Sequence, residues 1–121
     1  EMVFGEYIEK RRKSLGITLR GLAAELEIAP AYMSDIEKGR RYPPEKKLDD
    51  IAVILKFNEK EKNHMLDLAA LTKEKTVSSD LPEYIMEKDL VRVALRRARD
   101  GRLSDEGWQD VINLIDKKIN E

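Results

Sequence analysis

The sequence predicts an all-α fold: a five-helix bundle, followed by a C-terminal two-helix extension. Apolar residues recur at intervals of three and four along most of the 121 residues, which is the spacing of a buried helical stripe. Residues that favour helix N-caps, Thr18, Asn58 and Ser104, precede three of these stretches. Gly39 and Gly101 follow two others as stop signals. Together these observations favour helices throughout.

Residues 18–39 predict two short helices joined by a tight bend. Thr18 is placed to cap the first helix. Pro30 falls at the first position of the second helix, where its missing N–H has no intrahelical partner to lose. With the apolar stripes turned inward, the polar residues of the second helix point outward. The inward residues are Leu22, Ala23, Leu26, Met33 and Ile36. The stretch therefore predicts a helix-turn-helix.

This stretch, with the residues around it, resembles the Cro and phage-repressor (XRE-type) family. The resemblance covers the N-terminal bundle and does not reach the last third of the chain. It implies a lambda-repressor-like five-helix fold and sequence-specific binding to double-stranded DNA. The matching positions are Thr18, Leu22, Ala23, Leu26, Ile28, Tyr32, Ser34, Ile36, Glu37, Gly39, Arg41 and Pro43.

Five residues depart from the family pattern. Leu19 replaces a glutamine that hydrogen-bonds a phosphate in the family, and the neighbouring Arg20 is a substitute through its charge. Glu27 replaces the glycine often found in the bend, where a positive φ would cost about 1 kcal/mol or more. Gly21 stands where a capping-box glutamate would lie, and Ala29-Pro30 replaces the serine cap of the second helix.

The resemblance assigns roles to residues in and around the second helix. Ala31, Ser34 and Asp35 match positions that face base edges in the family, and Arg12 matches an arginine that pairs with Glu37. A carboxylate such as Asp35 accepts a hydrogen bond from cytosine N4 but repels phosphates. For Tyr32, a phosphate contact and a packing role are both open. The predicted contacts to the DNA backbone are Thr18, Arg20, Tyr32, Lys38, Arg40, Arg41 and Lys46.

Three further helices complete the predicted bundle, over residues 3–15, 45–56 and 58–71. Phe4, Ile8 and Leu15 mark the inner side of the first. In the last of them, Leu66 and Leu71 are alternative inner residues. Lys10, Arg11 and Lys13 are interpreted as a solvated face, with phosphate contact as the alternative.

The predicted domain organisation has three parts: a helix-turn-helix domain over 1–72, a linker and docking segment over 73–88, and a helical hairpin over 89–121. Pro82 predicts an extended start for the apolar stretch 81–86, which we expect to dock on protein. A two-helix tail is too short to form a core of its own, so its stripe requires a partner surface. Either a second chain or the first bundle could supply it, and we favour a homodimer. The stripe residues are Trp108, Val111, Ile112, Ile115 and Ile119.

Composition narrows the function classes. Without cysteine, the chain has neither disulfides nor thiolate metal ligands, and the single histidine, His64, argues against a metal site. No cofactor is expected, and with no clustered nucleophile and base we expect no enzyme. No apolar run approaches the ~20 residues that span a bilayer, so we expect a cytoplasmic protein with no membrane partner. The net charge of −1 is unusual for a DNA-binding protein, but basic residues cluster at 10–13 and 38–47.

Three functional hypotheses follow. The leading one is a prokaryotic or phage-type transcriptional regulator, with repression favoured, that binds an inverted-repeat operator as a homodimer. The second is the antitoxin of a toxin–antitoxin pair, in which the tail holds a small protein partner. The third is a protein-interaction module whose helix-turn-helix has lost DNA binding, which Leu19, Asp35 and the near-neutral charge would favour.

Overall fold

The computed structural model describes residues 2–73 and 76–121, and every regular element in them is helical. The all-α prediction is therefore confirmed. The chain divides into two compact units, Glu1–Pro82 and Glu83–Glu121, called here the N-terminal and C-terminal units. The predicted domain boundaries, after residues 72 and 88, lie on either side of this division. Residues 1, 74 and 75, which belong to the predicted domain and linker, lie outside the described residues.

The N-terminal unit is built from five α-helices and one 3₁₀ turn. The helices are α1 (Phe4–Ser14), α2 (Leu19–Glu25), α3 (Pro30–Glu37), α4 (Leu48–Ile54) and α5 (Glu59–Ala70). The 3₁₀ turn, Glu45–Lys47, precedes α4, so the helix predicted over 45–56 is shorter than expected. Asn58 caps α5 in a reciprocal pair with Glu61, as the capping-box spacing predicts.

One hydrophobic core holds these helices together. Leu66 is buried in it and Leu71 is 72% exposed, which decides between the two predicted alternatives for α5. Leu15 is only partly buried against this core. The core consists of Phe4, Ile8, Leu22, Ala23, Leu26, Met33, Ile36, Leu48, Ile51, Ala52, Leu55, Met65, Leu66, Leu68 and Ala69.

Five of the described helices are followed by a residue with positive φ, two positions after the last helical residue. At the end of α2, Glu27 has φ 59° and the next N–H, of Ile28, donates to the carbonyl of Ala23 at 3.0 Å. This return bond satisfies a carbonyl that the helix end leaves without a partner. Glycine occupies this second position after α1 and α3. After α2, α4 and α7 the same position is occupied by Glu27, Lys56 and Arg102. Their side chains make those three turns strained.

The C-terminal unit contains most of α6 (Pro82–Glu87) and all of α7 (Asp89–Asp100) and α8 (Asp105–Ile119). The extended start predicted at Pro82 is wrong, because Pro82 opens α6 at a position that needs no N–H donor. Ser104 caps α8 by accepting from the Gly107 N–H at 3.0 Å. No residue of Glu83–Glu121 is buried. Trp108 and Val111 are half-buried, while Ile112 and Ile115 are 47% and 49% exposed.

Candidate nucleic-acid interface

Helices α2 and α3 form the two arms of a helix-turn-helix. Thr18 caps α2, with its side-chain oxygen accepting from the Gly21 N–H at 2.9 Å. Glu27 turns the chain with its positive φ, and Pro30 then opens α3 without a side-chain cap at Ala29. The predicted strain at Glu27 is present, since a glutamate there adopts the conformation that glycine favours.

The inner sides of α2 and α3 are in the core, which leaves one side of α3 facing outward. Ala31 is exposed, and Ser34 and Asp35 are half-exposed on the same helix. Met33, Ile36 and Glu37 are the buried residues of α3. The three predicted base-reading residues therefore share a helix whose other side is fixed by packing, and all three are accessible in the N-terminal unit.

An ion pair joins α1 to the end of α3. Arg12 Nε donates to Glu37 Oε2 at 2.8 Å, and Arg12 Nη2 donates to Glu37 Oε1 at 2.9 Å. Arg12 Nη1 also donates to the carbonyl of Ile17 at 3.0 Å, just ahead of α2. The hydrogen bond to Glu37 raises the pKa of Arg12, against the effect of burial. One guanidinium thus ties together α1, α3 and the residue preceding the cap of α2.

Gly5 allows α1 and α3 to approach closely. A Cβ atom at Gly5 would lie 2.1 Å from the carbonyl oxygen of Glu37 and 2.7 Å from that of Ile36. Only a residue without a side chain fits this contact. Sequence reasoning missed Gly5; the available signal was a glycine inside a helical pattern, which indicates a close approach.

Asp35 lies between two arginines that follow α3. Its carboxylate oxygens are 3.7 Å from Arg40 Nη1 and 3.7 Å from Arg41 Nε. The Arg41 guanidinium also lies over the ring of Tyr32, with its carbon 5.1 Å from the ring centroid. A predicted base-reading carboxylate and two predicted phosphate contacts are thus held in one network, and Tyr32 supports Arg41 through its ring.

The other predicted backbone contacts are spread along the N-terminal unit. Thr18 and Arg20 lie at the start of α2, Lys38 ends α3, and Lys46 lies in the 3₁₀ turn; all four are exposed.

Arg11, which the sequence placed on a solvated face, makes contacts within the fold. It donates to the carbonyls of Leu55 and Lys56 at 2.8 and 2.9 Å, where it caps the end of α4. The long sequence separation of these partners hid this role from sequence reasoning.

The single histidine, His64, is exposed and is not part of a group of candidate metal ligands among the described residues. In residues 2–73 and 76–121, no three His, Cys, Asp or Glu side chains are placed to hold a metal ion. The ring of His64 makes an edge contact with Tyr7, at a centroid distance of 5.0 Å.

Among the helices of residues 2–73 and 76–121, none combines the length and the apolar composition that a membrane span requires.

Comparison with known proteins agrees with this geometry. A family model described as a helix-turn-helix domain matches residues 3–65, which is just over half of the 121-residue chain. The match includes α1 to α4 and the first part of α5. Searches of curated proteins and of solved structures found no significant match.

Proposed function

Because the chain belongs to the helix-turn-helix domain family, we propose that it is a transcriptional regulator that reads a specific sequence in double-stranded DNA, with repression as its main effect. In this proposal α3 enters the major groove, which is wide enough for a helix and presents a distinct pattern for each base pair. Binding and release involve no covalent step. The family assignment indicates DNA as the partner.

The observation that carries the proposal is that one side of α3 is accessible, while the other side of the same helix is packed in the core. Ala31 offers a methyl group to thymine, and Ser34 offers a hydroxyl that both donates and accepts. Asp35 accepts from cytosine N4 once its arginine partners turn to the DNA backbone. The Arg12–Glu37 pair and the Gly5 contact fix the direction in which α3 projects.

Phosphate contacts would set the register of α3 in the groove. The net charge of −1 does not oppose this, because residues 38–47 carry five basic residues and one acidic residue. Arg40 and Arg41 are exposed and follow α3 directly. Lys38 and Lys46 add charge before and after them, and Thr18 and Arg20 add polar groups at the start of α2.

We further propose that the regulator works as a homodimer on an inverted-repeat operator. Helix-turn-helix dimers bind half-sites about 34–36 Å apart, so operator symmetry follows protein symmetry. The apolar faces of α7 and α8 support a protein partner for the C-terminal unit, because the unit itself leaves several of their side chains exposed.

The test is selection of bound sequences from a random DNA pool by the full chain. We expect an enriched sequence with inverted-repeat symmetry. Affinity for that sequence should fall with salt at about −0.9 in log K per log salt for each phosphate neutralised.

The double variant Arg40→Ala, Arg41→Ala should flatten this slope. Its matched control, Lys117→Ala with Lys118→Ala, removes two lysines from α8 and should leave the slope unchanged. Absence of enrichment would contradict the proposal.

A further inference from the structure

The C-terminal unit presents two amphipathic helices whose apolar faces are only partly covered within the unit. Of the large apolar side chains on these faces, Leu90 is 82% exposed, Ile119 is 74% exposed and Ile115 is 49% exposed. By helical periodicity Leu90, Val91, Ala94, Leu95 and Ala98 share one side of α7, and Trp108, Val111, Ile112, Ile115 and Ile119 share one side of α8. Contiguous apolar faces of this kind indicate an interaction surface.

The two helices carry opposite charge. α7 contains four arginines and two aspartates, whereas α8 contains four acidic residues and two lysines. A pairing of α7 with α7, or of α8 with α8, across a twofold axis would bring like charges together. A pairing of α7 with α8 brings opposite charges together at both symmetry-related contacts.

We infer that the C-terminal units of two copies of this chain pair with each other, with α7 of one copy against α8 of the other, to form a four-helix bundle. This inference deepens the homodimer of the proposed function by assigning its interface. The unit has no buried residue of its own, and a helical unit of this size seldom folds stably without a partner. A second copy supplies an apolar face flanked by complementary charge.

The apolar part of the interface is tested by the mass of the full chain in solution, without DNA. Wild-type protein should have twice the 14.0 kDa mass of the chain in light scattering at micromolar concentrations. The variant Ile112→Asp, Ile115→Asp should halve that mass. The control Asn113→Asp places a new carboxylate on the opposite side of α8 and should leave the dimer intact. A monomeric wild-type chain would overturn the inference.

A mixing experiment tests the pairing of α7 with α8 of the other copy. One variant, Arg97→Glu with Arg99→Glu, makes α7 acidic at positions that flank its apolar face. The other, Asp105→Lys with Asp116→Lys, makes α8 basic at positions that flank its apolar face. Each alone places like charges at both contacts and should be monomeric, with helix content retained in circular dichroism. An equimolar mixture should form a heterodimer, because opposite charges then meet at both contacts.

If the mixture stays monomeric, or if either variant alone dimerises as well as wild type, the inferred pairing is wrong. This readout is separate from DNA binding. A dimer that enriches no DNA sequence would contradict the proposed function and leave the interface standing. Enrichment of a single half-site by a monomeric wild-type chain would overturn the interface and the dimeric operator, and would leave sequence-specific DNA binding by α3 standing.

Discussion

Arg12 and Glu37 form a two-bond ion pair, with N–O distances of 2.8 and 2.9 Å, that connects α1 to the last turn of α3. Their side chains are only 8% and 1% exposed. A charge pair so far from water contributes little if both partners are replaced together, but leaves a costly unpaired charge if only one is replaced.

We therefore expect Arg12→Ala to lower the free energy of unfolding by about 3–5 kcal/mol. The double variant Arg12→Met, Glu37→Leu should recover most of that loss, because no buried charge remains. Urea denaturation of the full chain measures both. The exposed Lys13–Glu9 pair supplies the control, since Lys13→Ala should change stability by no more than about 0.5 kcal/mol. Equal effects of Arg12→Ala and Lys13→Ala would contradict this account.

The tight contact at Gly5 gives a second prediction. Gly5→Ala would place a Cβ atom 2.1 Å from a backbone oxygen of α3, so α1 must shift away. We expect a loss of about 1–3 kcal/mol in unfolding free energy, even though alanine favours helix formation. Glu6→Ala, an exposed change in the same turn, is the control. A stabilised Gly5→Ala variant would show that the two helices do not approach this closely.

The turn between α2 and α3 gives a prediction of opposite sign. Glu27 has φ 59°, so Glu27→Gly should relieve strain and raise the free energy of unfolding by about 1 kcal/mol. Glu27→Gln removes the charge but keeps the strained conformation, and should have no such effect. Gly39→Ala, at φ 78°, should lower stability by a similar amount. Thermal or urea unfolding distinguishes the three variants, and a gain for Glu27→Gln equal to that for Glu27→Gly would assign the effect to charge.

Local patterns predicted most of the fold, and long-range contacts were the part that they could not predict. The caps at Thr18, Asn58 and Ser104 depend on residues three positions away, so the sequence carries their whole signal. Arg11 caps α4 across 44 and 45 positions, and nothing near Arg11 indicates that role. The helix at Pro82 was missed because proline is equally compatible with an extended start and with the first turn of a helix.

In the candidate site, the resemblance supplied positions but not their mutual arrangement. Asp35, Arg40 and Arg41 were each assigned a DNA contact, and their sequence positions alone do not show that they contact one another. In the folded chain both guanidiniums lie 3.7 Å from the Asp35 carboxylate. The consequence is competition, because a phosphate and Asp35 attract the same two cations.

This competition predicts the effect of Asp35→Asn. With the carboxylate removed, Arg40 and Arg41 turn to phosphates without losing an ion partner, so affinity for a random-sequence duplex should rise. The salt dependence of that affinity should steepen by up to about 0.9 in log K per log salt, the contribution of one phosphate. Affinity for a selected operator with cytosine at the contacted position should fall relative to random duplex, because the neutral amide oxygen is a weaker acceptor for cytosine N4 than the carboxylate. Fluorescence anisotropy over a series of salt concentrations measures all three quantities.

The control Asp50→Asn removes an equal charge from an exposed position on α4. If the two variants behave alike, then Asp35 acts only through net charge, and the ion pairs with Arg40 and Arg41 have no part in choosing the DNA sequence.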